Sequence, residues 1–338
     1  MPMSDSNVTS PTTQIPAQSA ARGRLAFIDV ARGVALLAMA TYHFVWDLEF
    51  FGYVAAGTAG TGGWKIFARL IASSFLFLAG YSLVLGQWPK LRLDAFMRRF
   101  AKIAGAAALI TIATYFAFPD TFIFFGILHA IAAASVIGLV FLRLPAVVSL
   151  VAAAAAIAAP FYLRSPAFDA PWLWWVGLSE SFPRSNDYVP LLPWLGPFLF
   201  GLAAAKLFHA RLVAVLANRP STGGKGKLWM SPLVFGGRHS LAIYLIHQPV
   251  LIGLVYLFSL ISPPTLPDPK QAYRSNCVAA CNQGNPAVPC EAFCGCTLDL
   301  LVQQNLFNSL NRGEINVSTD ERIARIARQC TMDVQSGD

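Results

Sequence analysis

Charge is scarce in this sequence. Asp, Glu, Lys and Arg together make up 12% of its 338 residues, about half the share carried by a water-soluble domain. An ordinary soluble globular protein is thereby excluded. No glycine-rich Walker or dinucleotide signature is present, which removes support for ATP-driven transport, and no Cys-x-x-Cys-His run marks a c-type haem. No repeat of fixed period is found. Residues 1–21 are rich in Ser, Thr, Pro and Gln and lack the apolar centre of a signal peptide, so they are expected to form a disordered cytoplasmic tail.

What is abundant is apolar. Hydrophobic residues reach 56% and gather in runs near the roughly 20 residues a helix needs to cross a bilayer. The runs are Ala26 to Trp46, Trp64 to Leu85, Ile103 to Phe118, Phe122 to Leu142, Pro145 to Leu163, Val189 to Phe208 and Leu241 to Ile261. The expected fold class is all-α, a polytopic transmembrane bundle of about seven spans. Residues 22–262 form this membrane part. Pro190, Pro193 and Pro197 predict a broken start to the sixth run, and Trp172, Trp174 and Trp175 predict an interfacial helix between Arg164 and Tyr188.

The net charge of +8 is not spread evenly. Basic residues flank one set of helix ends: Arg22 and Arg24, then Lys90, Arg92, Arg98, Arg99 and Lys102, then Arg143, Arg211, Arg219, Lys225, Lys227 and Arg238. The opposite loops hold only Arg164 and Arg184, and the loop from Asp47 to Gly63 has neither Lys nor Arg. This positive-inside bias predicts a cytoplasmic N-terminus and an extracytoplasmic C-terminus, with membrane lipid rather than nucleic acid as the partner.

All six cysteines lie after Ser262, in residues 263–338, which read as a separate Cys-rich module on the extracytoplasmic side. Cys277 with Cys281, and Cys290 with Cys294, each place two sulfurs on one helical face. The spacing suits a helical hairpin, turned by Asn282 to Pro289, with bridges Cys277–Cys294 and Cys281–Cys290 and with Cys296 left for Cys330. Zinc is the competing reading; an even count on the oxidising side favours disulfides, and no metal site is expected.

Ionisable groups inside a membrane helix are costly and ask for a reason. Arg32 and His43 in the first run are 11 residues apart, which at 100° per residue returns to nearly one face over about 16 Å. Asp47, one turn beyond His43, could orient the imidazole as a general base, giving a catalytic pair. Arg69, His129 and Asp187 are further candidates, ringing a cavity at similar depth as substrate or oxyanion groups. A structural alternative has His43 capping a helix end and Asp29 with Arg32 serving as a topological anchor. His247, followed by Pro249, reads equally well as packing, and His209 and His239 carry no assigned role. Two further function classes remain open: a haem-binding electron carrier with His43 and His129 as axial ligands, and a transporter or flippase with charges lining a path.

The motifs resemble the membrane acyltransferase superfamily, which includes acyltransferase-3 proteins and the heparan-alpha-glucosaminide N-acetyltransferase catalytic domain, and most closely its bacterial DUF1624 branch. Ile28-Asp-Val-Ala-Arg-Gly-Val-Ala with Arg32, ten residues and His43 is similar to the family's Arg-x10-His signature. Phe75-Leu-Phe-Leu-Ala-Gly-Tyr-Ser, Arg98-Arg-Phe-Ala-Lys-Ile, Phe125-Gly-Ile-Leu-His, Asp187-Tyr-Val-Pro-Leu-Leu-Pro-Trp and Gly237-Arg-His-Ser-Leu-Ala-Ile-Tyr-Leu-Ile-His-Gln-Pro follow in the same order. The resemblance implies a bacterial inner-membrane enzyme moving an acyl group, acetyl first among them, from cytoplasmic acyl-CoA to a glycan or other acceptor on the far side. Acetyl-CoA would be a co-substrate, with no permanently bound cofactor. Arg32, with the loop residues Arg98, Arg99 and Lys102, would bind the acyl-CoA. A second copy of the chain is a further candidate partner. The loop after the first helix lacks the histidine of the lysosomal enzyme, and the helices are fewer.

Overall fold

The structure, a computed structural model, describes residues 17–55, 57–88, 90–181, 183–217, 225–264, 268–284, 289–312, 314–315, 317 and 320–336. It is all-α; no strand occurs among the described residues. Helix α1 spans Ala17–Phe50, α2 Gly62–Gln87, α3 Leu93–Ala117, α4 Ile127–Leu142, α5 Ala146–Tyr162 and α6 Leu191–Ala217. They are followed by α7 (Lys225–Arg238), α8 (Ser240–Ile261), α9 (Pro269–Gly284), α10 (Cys290–Gln303), α11 (Phe307–Asn311) and α12 (Glu321–Ser336). Helix α1 begins inside the stretch expected as a tail; residues 1–16, and the centre of the turn expected at 282–289, lie outside the described residues.

Each of the seven apolar runs falls on a helix. Five helices, from α1, α2, α3, α6 and α8, are long and apolar enough to cross a membrane, while α4 and α5 are shorter apolar helices. Helix α3 starts ten residues before the expected Ile103, because the basic stretch Leu93–Lys102 continues the same helix. Helix α4 starts later than the expected Phe122. Residues 122–126 are irregular instead, with Val189 N–H donating to Phe125 C=O at 3.0 Å and Asn186 N–H to the preceding Thr121 C=O at 2.9 Å. The predicted break in α6 is present, with Leu192 outside the helical region at φ −104°, ψ 128°. In place of one interfacial helix, residues 164–188 form two 3₁₀ turns, Pro166–Phe168 and Pro171–Val176.

The chain packs as two units, Met1–Ala38 with Leu70–Ile246, and Met39–Arg69 with His247–Asp338. In the first, α3 packs on α4, and α4 and α5 pack on α6. Its centre holds Leu76, Phe198, Leu199 and Leu202, all with no solvent exposure. Helices α2 and α6 touch backbone to backbone: a Cβ on Gly80 would lie 2.0 Å from the Phe198 carbonyl oxygen, and one on Gly201 2.0 Å from that of Phe77. Lipid is as apolar as a helix surface, so close contact between small residues, rather than apolar burial, draws membrane helices together.

In the second unit, α10 packs against α9 and α12. The disulfides Cys277–Cys294, Cys281–Cys290 and Cys296–Cys330 are the three expected from spacing. The zinc reading is thereby corrected: all six sulfurs are in disulfides. A small apolar core of Leu301, Leu306, Phe307, Ile315 and Ile326 lies beside Cys330.

Candidate functional site

In the first unit, α2, α3 and α4 enclose a cavity of about 230 Å³ lined by Ser82, Gln87, Arg92, Phe96, Arg99 and Ser135, among others. Arg92, Phe96, Arg99 and Ile103 recur at helical spacing, so one face of α3 and its start supplies two guanidinium groups. The Gln87 side-chain oxygen accepts from the Arg92 backbone N–H at 2.8 Å and fixes the entry to α3. A third arginine stands behind the wall. Arg32 of α1 donates through Nη2 to Ser82 Oγ at 2.6 Å, while that hydroxyl spends its own hydrogen on the Leu78 carbonyl.

Buried Asp29 lies 3.9 Å from Arg32 and 3.2 Å from Arg238 Nε. One carboxylate among four arginines leaves the region strongly cationic, and partial burial strengthens its pull on an anion. Arg32 and Arg99 of the expected acyl-CoA set come together here. Arg98 and Lys102 are exposed on α3 and do not line the cavity. Arg92 was legible only as loop charge; its seven-residue spacing from Arg99 is the signal that places both on one face.

In the second unit, the end of α1 meets the start of its α8 portion. The rings of His43 and His247 are edge to face, with centroids 4.9 Å apart. Asp47, fully buried, accepts a 2.7 Å hydrogen bond from Gln248 Nε2. Among the described residues no hydrogen bond joins His43 to Asp47, so the expected orienting pair is corrected: the carboxylate is held by an amide 201 positions away, and the imidazole faces a second imidazole. Asp47 Oδ2 and Gln248 Oε1 are buried without a hydrogen-bond partner among the described residues. Buried atoms of this kind cost about 1–3 kcal/mol each until something satisfies them.

The third set is divided between the two units. Arg69 is exposed on α2 and belongs to the second unit. His129 and Asp187 each accept from a backbone N–H at the start of α4. Asp187 Oδ2 accepts the Ile127 N–H at 2.9 Å, capping the helix from a distant loop. Burial pushes the Asp187 carboxyl up to about 6, with that backbone hydrogen bond acting in the opposite direction.

His129 Nδ1 accepts from Gly126 N–H at 3.2 Å, and its Nε2 lies 3.2 Å from Thr111 Oγ1. The Thr111 hydroxyl gives its hydrogen to Ile123 C=O at 2.7 Å, so the imidazole must be the donor in that contact. Both ring nitrogens are therefore engaged in holding the 121–129 segment. This assigns His129 a structural role and leaves it without a free nitrogen for an oxyanion or a haem iron. Among the described residues no cluster of three or more His, Cys, Asp or Glu could hold a metal ion.

A family model described as "Heparan-alpha-glucosaminide N-acetyltransferase, catalytic" matches residues 24–249. No curated protein and no solved structure matches the chain. The matched segment holds Arg32, His43, Arg99, His247 and Gln248, and leaves the disulfide module outside it.

Proposed function

Because the chain belongs to the heparan-alpha-glucosaminide N-acetyltransferase catalytic-domain family, we propose that this membrane acetyltransferase takes its acyl group from cytoplasmic acyl-CoA and delivers it to an acceptor on the opposite face. The observation that carries this reading is the intramembrane pair His43 and His247, set beside a buried Asp47–Gln248 contact inside the matched segment. Lipid-embedded imidazoles are costly, and function is the default reason for keeping them.

In this reading Arg92, Arg99 and Arg32 hold the phosphates of the donor. Guanidinium groups suit that task because their planar donors match phosphate oxygens two at a time. The pantetheine arm separates the phosphates from the thioester, so binding the donor and acting on its carbonyl are tasks for different residues. His43 removes a proton from the acceptor hydroxyl, or from an amine acceptor that enters in its neutral form, as bond formation proceeds. The acceptor atom attacks the thioester carbonyl, the C–S bond breaks, and the proton passes from the imidazolium to the departing thiolate. Products are an ester or amide and free CoA. Gln248 and Asp47 fix the local frame, and His247 limits the rotation of the His43 ring.

The test is acyl transfer from acetyl-CoA in membranes carrying His43→Ala. A positioned general base contributes about 10²–10⁴-fold, so thiol release coupled to acceptor should fall by that factor while the variant stays membrane-inserted with its disulfides formed. Unchanged turnover would falsify the assignment. Trapping with labelled acetyl-CoA separates direct transfer, which leaves no acyl-protein, from a route through acyl-histidine.

A further inference from the structure

The second unit contains a larger cavity that the catalytic reading does not use. It measures about 410 Å³ and is lined by Gly57, Thr58 and Thr61 from the α1–α2 loop, by Gln271, Arg274, Ser275, Val278 and Ala279 from α9, and by Glu291 from α10. That volume is within the range of small-molecule sites. Resting on the acyltransfer reading above, we infer that this pocket is an acceptor subsite that holds an uncharged, polyhydroxylated glycan.

The chemistry of the lining points to that class. The Thr58 hydroxyl donates to Ala55 C=O, Thr61 to Gly57 C=O and Ser275 to Ala272 C=O. A hydroxyl has one hydrogen, so all three have spent theirs and keep only acceptor capacity for a ligand. A ligand with many O–H donors matches this wall. Val278, Ala279 and Gly57 add the apolar patch on which the C–H face of a sugar ring rests. The rim charges are balanced, since Arg274 pairs with Glu291 at 3.4 Å, which selects against a polyanion.

The pocket is also built firmly and tied to the candidate catalytic helix. Glu49 accepts from the backbone N–H of Gly57 at 2.6 Å and of Ala59 at 2.7 Å, one oxygen to each. The Tyr42 hydroxyl donates to Ala59 C=O at 3.2 Å. Tyr42 and Glu49 flank His43 and Asp47 on α1, so the loop wall is pinned to the same helix segment. Gln271, Arg274, Ser275 and Val278 share one face of α9 by their spacing, and Cys277–Cys294 with Cys281–Cys290 fixes α9 to α10. Gly57 sits at φ +83°, and a Cβ there would meet the Ala279 Cβ at 3.0 Å, so the loop needs glycine to close against α9. The α9 and α10 walls lie outside the segment shared with the family, where acceptor choice can vary without disturbing the transfer machinery.

The experiment is a titration of the purified full-length protein, without acyl-CoA, with maltotetraose, cellotetraose and chitotetraose. At least one should bind saturably. Gln271→Ala, on an exposed position of α9, and Thr61→Val should each weaken that binding about tenfold, as loss of a ligand hydrogen bond does. Both should leave acetyl-CoA binding unchanged and all three disulfides intact by mass. The inference is overturned if none of the three sugars saturates, or if both variants bind as the wild type does. Because acyl-CoA is absent from this titration, its failure is distinct from a failure of acyl transfer, which the His43→Ala assay reports.

Discussion

In the first unit, α2 and α6 meet where Gly80 and Gly201 allow carbonyl groups to approach the opposing helix, and no covalent link joins the described residues. In the second unit, α9, α10 and α12 surround a short list of apolar residues and are joined by three disulfides. The difference follows from the amount of surface available for packing. Long apolar helices make extended contacts, and their outward residues, such as Leu70, Ile112 and Phe116, can stay exposed to lipid. A small helical module has too little core to hold itself and uses covalent bridges.

The sharpest way to break this comparison is to push the first unit apart. Gly201→Val places side-chain atoms against the Phe77 carbonyl, which is backbone and has nowhere to move. The expected outcome is loss of monodisperse, folded protein after solubilisation; a thermal melt matching wild type would show that close backbone contact is not what holds α2 to α6. Next in size is the double replacement Cys296→Ser with Cys330→Ser. Opening a loop of 34 residues should cost about 3–4 kcal/mol. Hydrogen exchange should rise in α12 and remain unchanged in α2 and α6.

A smaller effect concerns Asp187. Its folded-state value, raised from 3.8 to about 6, means the acid form is favoured by folding. Its contribution to stability is complete below 3.8 and is lost as pH rises through about 6. Asp187→Asn should flatten that decline in a melting series across this window. The smallest effect belongs to Asp320, which accepts from the Arg322 backbone and side chain at the start of α12. Those contacts lower its carboxyl from 3.8 to about 2, so its contribution is present above 3.8 and disappears as pH falls through about 2. Asp320→Asn should remove only a local acid-induced fraying of α12, read by backbone amide exchange.

The apolar runs were legible because membrane helices announce themselves by length and composition, and the disulfide pairing was legible because i, i+4 cysteines on two adjacent helices admit a parallel ladder. Charge hid the start of α3: Leu93–Lys102 is too basic to look like a span, yet it continues one. The start of α4 was hidden because Phe122–Gly126 is apolar but spends its backbone on Thr111 and Thr114 of α3, on His129 and on Ser185 and Val189. At the candidate site, Arg32, His43 and Arg99 were visible as costly or clustered charges. Gln248 was not, since nothing local tells an amide in α8 that its partner is Asp47 in α1. His129 looks functional from sequence because Thr111, the partner of its Nε2, becomes a neighbour only after α3 and α4 pack, while the Gly126 N–H is a local contact at the start of α4.

The ladder of Cys277–Cys294 outside Cys281–Cys290 has a bearing on endurance. A protease that severs the peptide chain anywhere between Cys281 and Cys290 releases nothing, because two sulfur links still span the cut, and a nick between Cys296 and Cys330 is spanned by one more. Nicked molecules would therefore migrate as intact chains on a gel until a reductant is added, and would go on holding α9 beside α10.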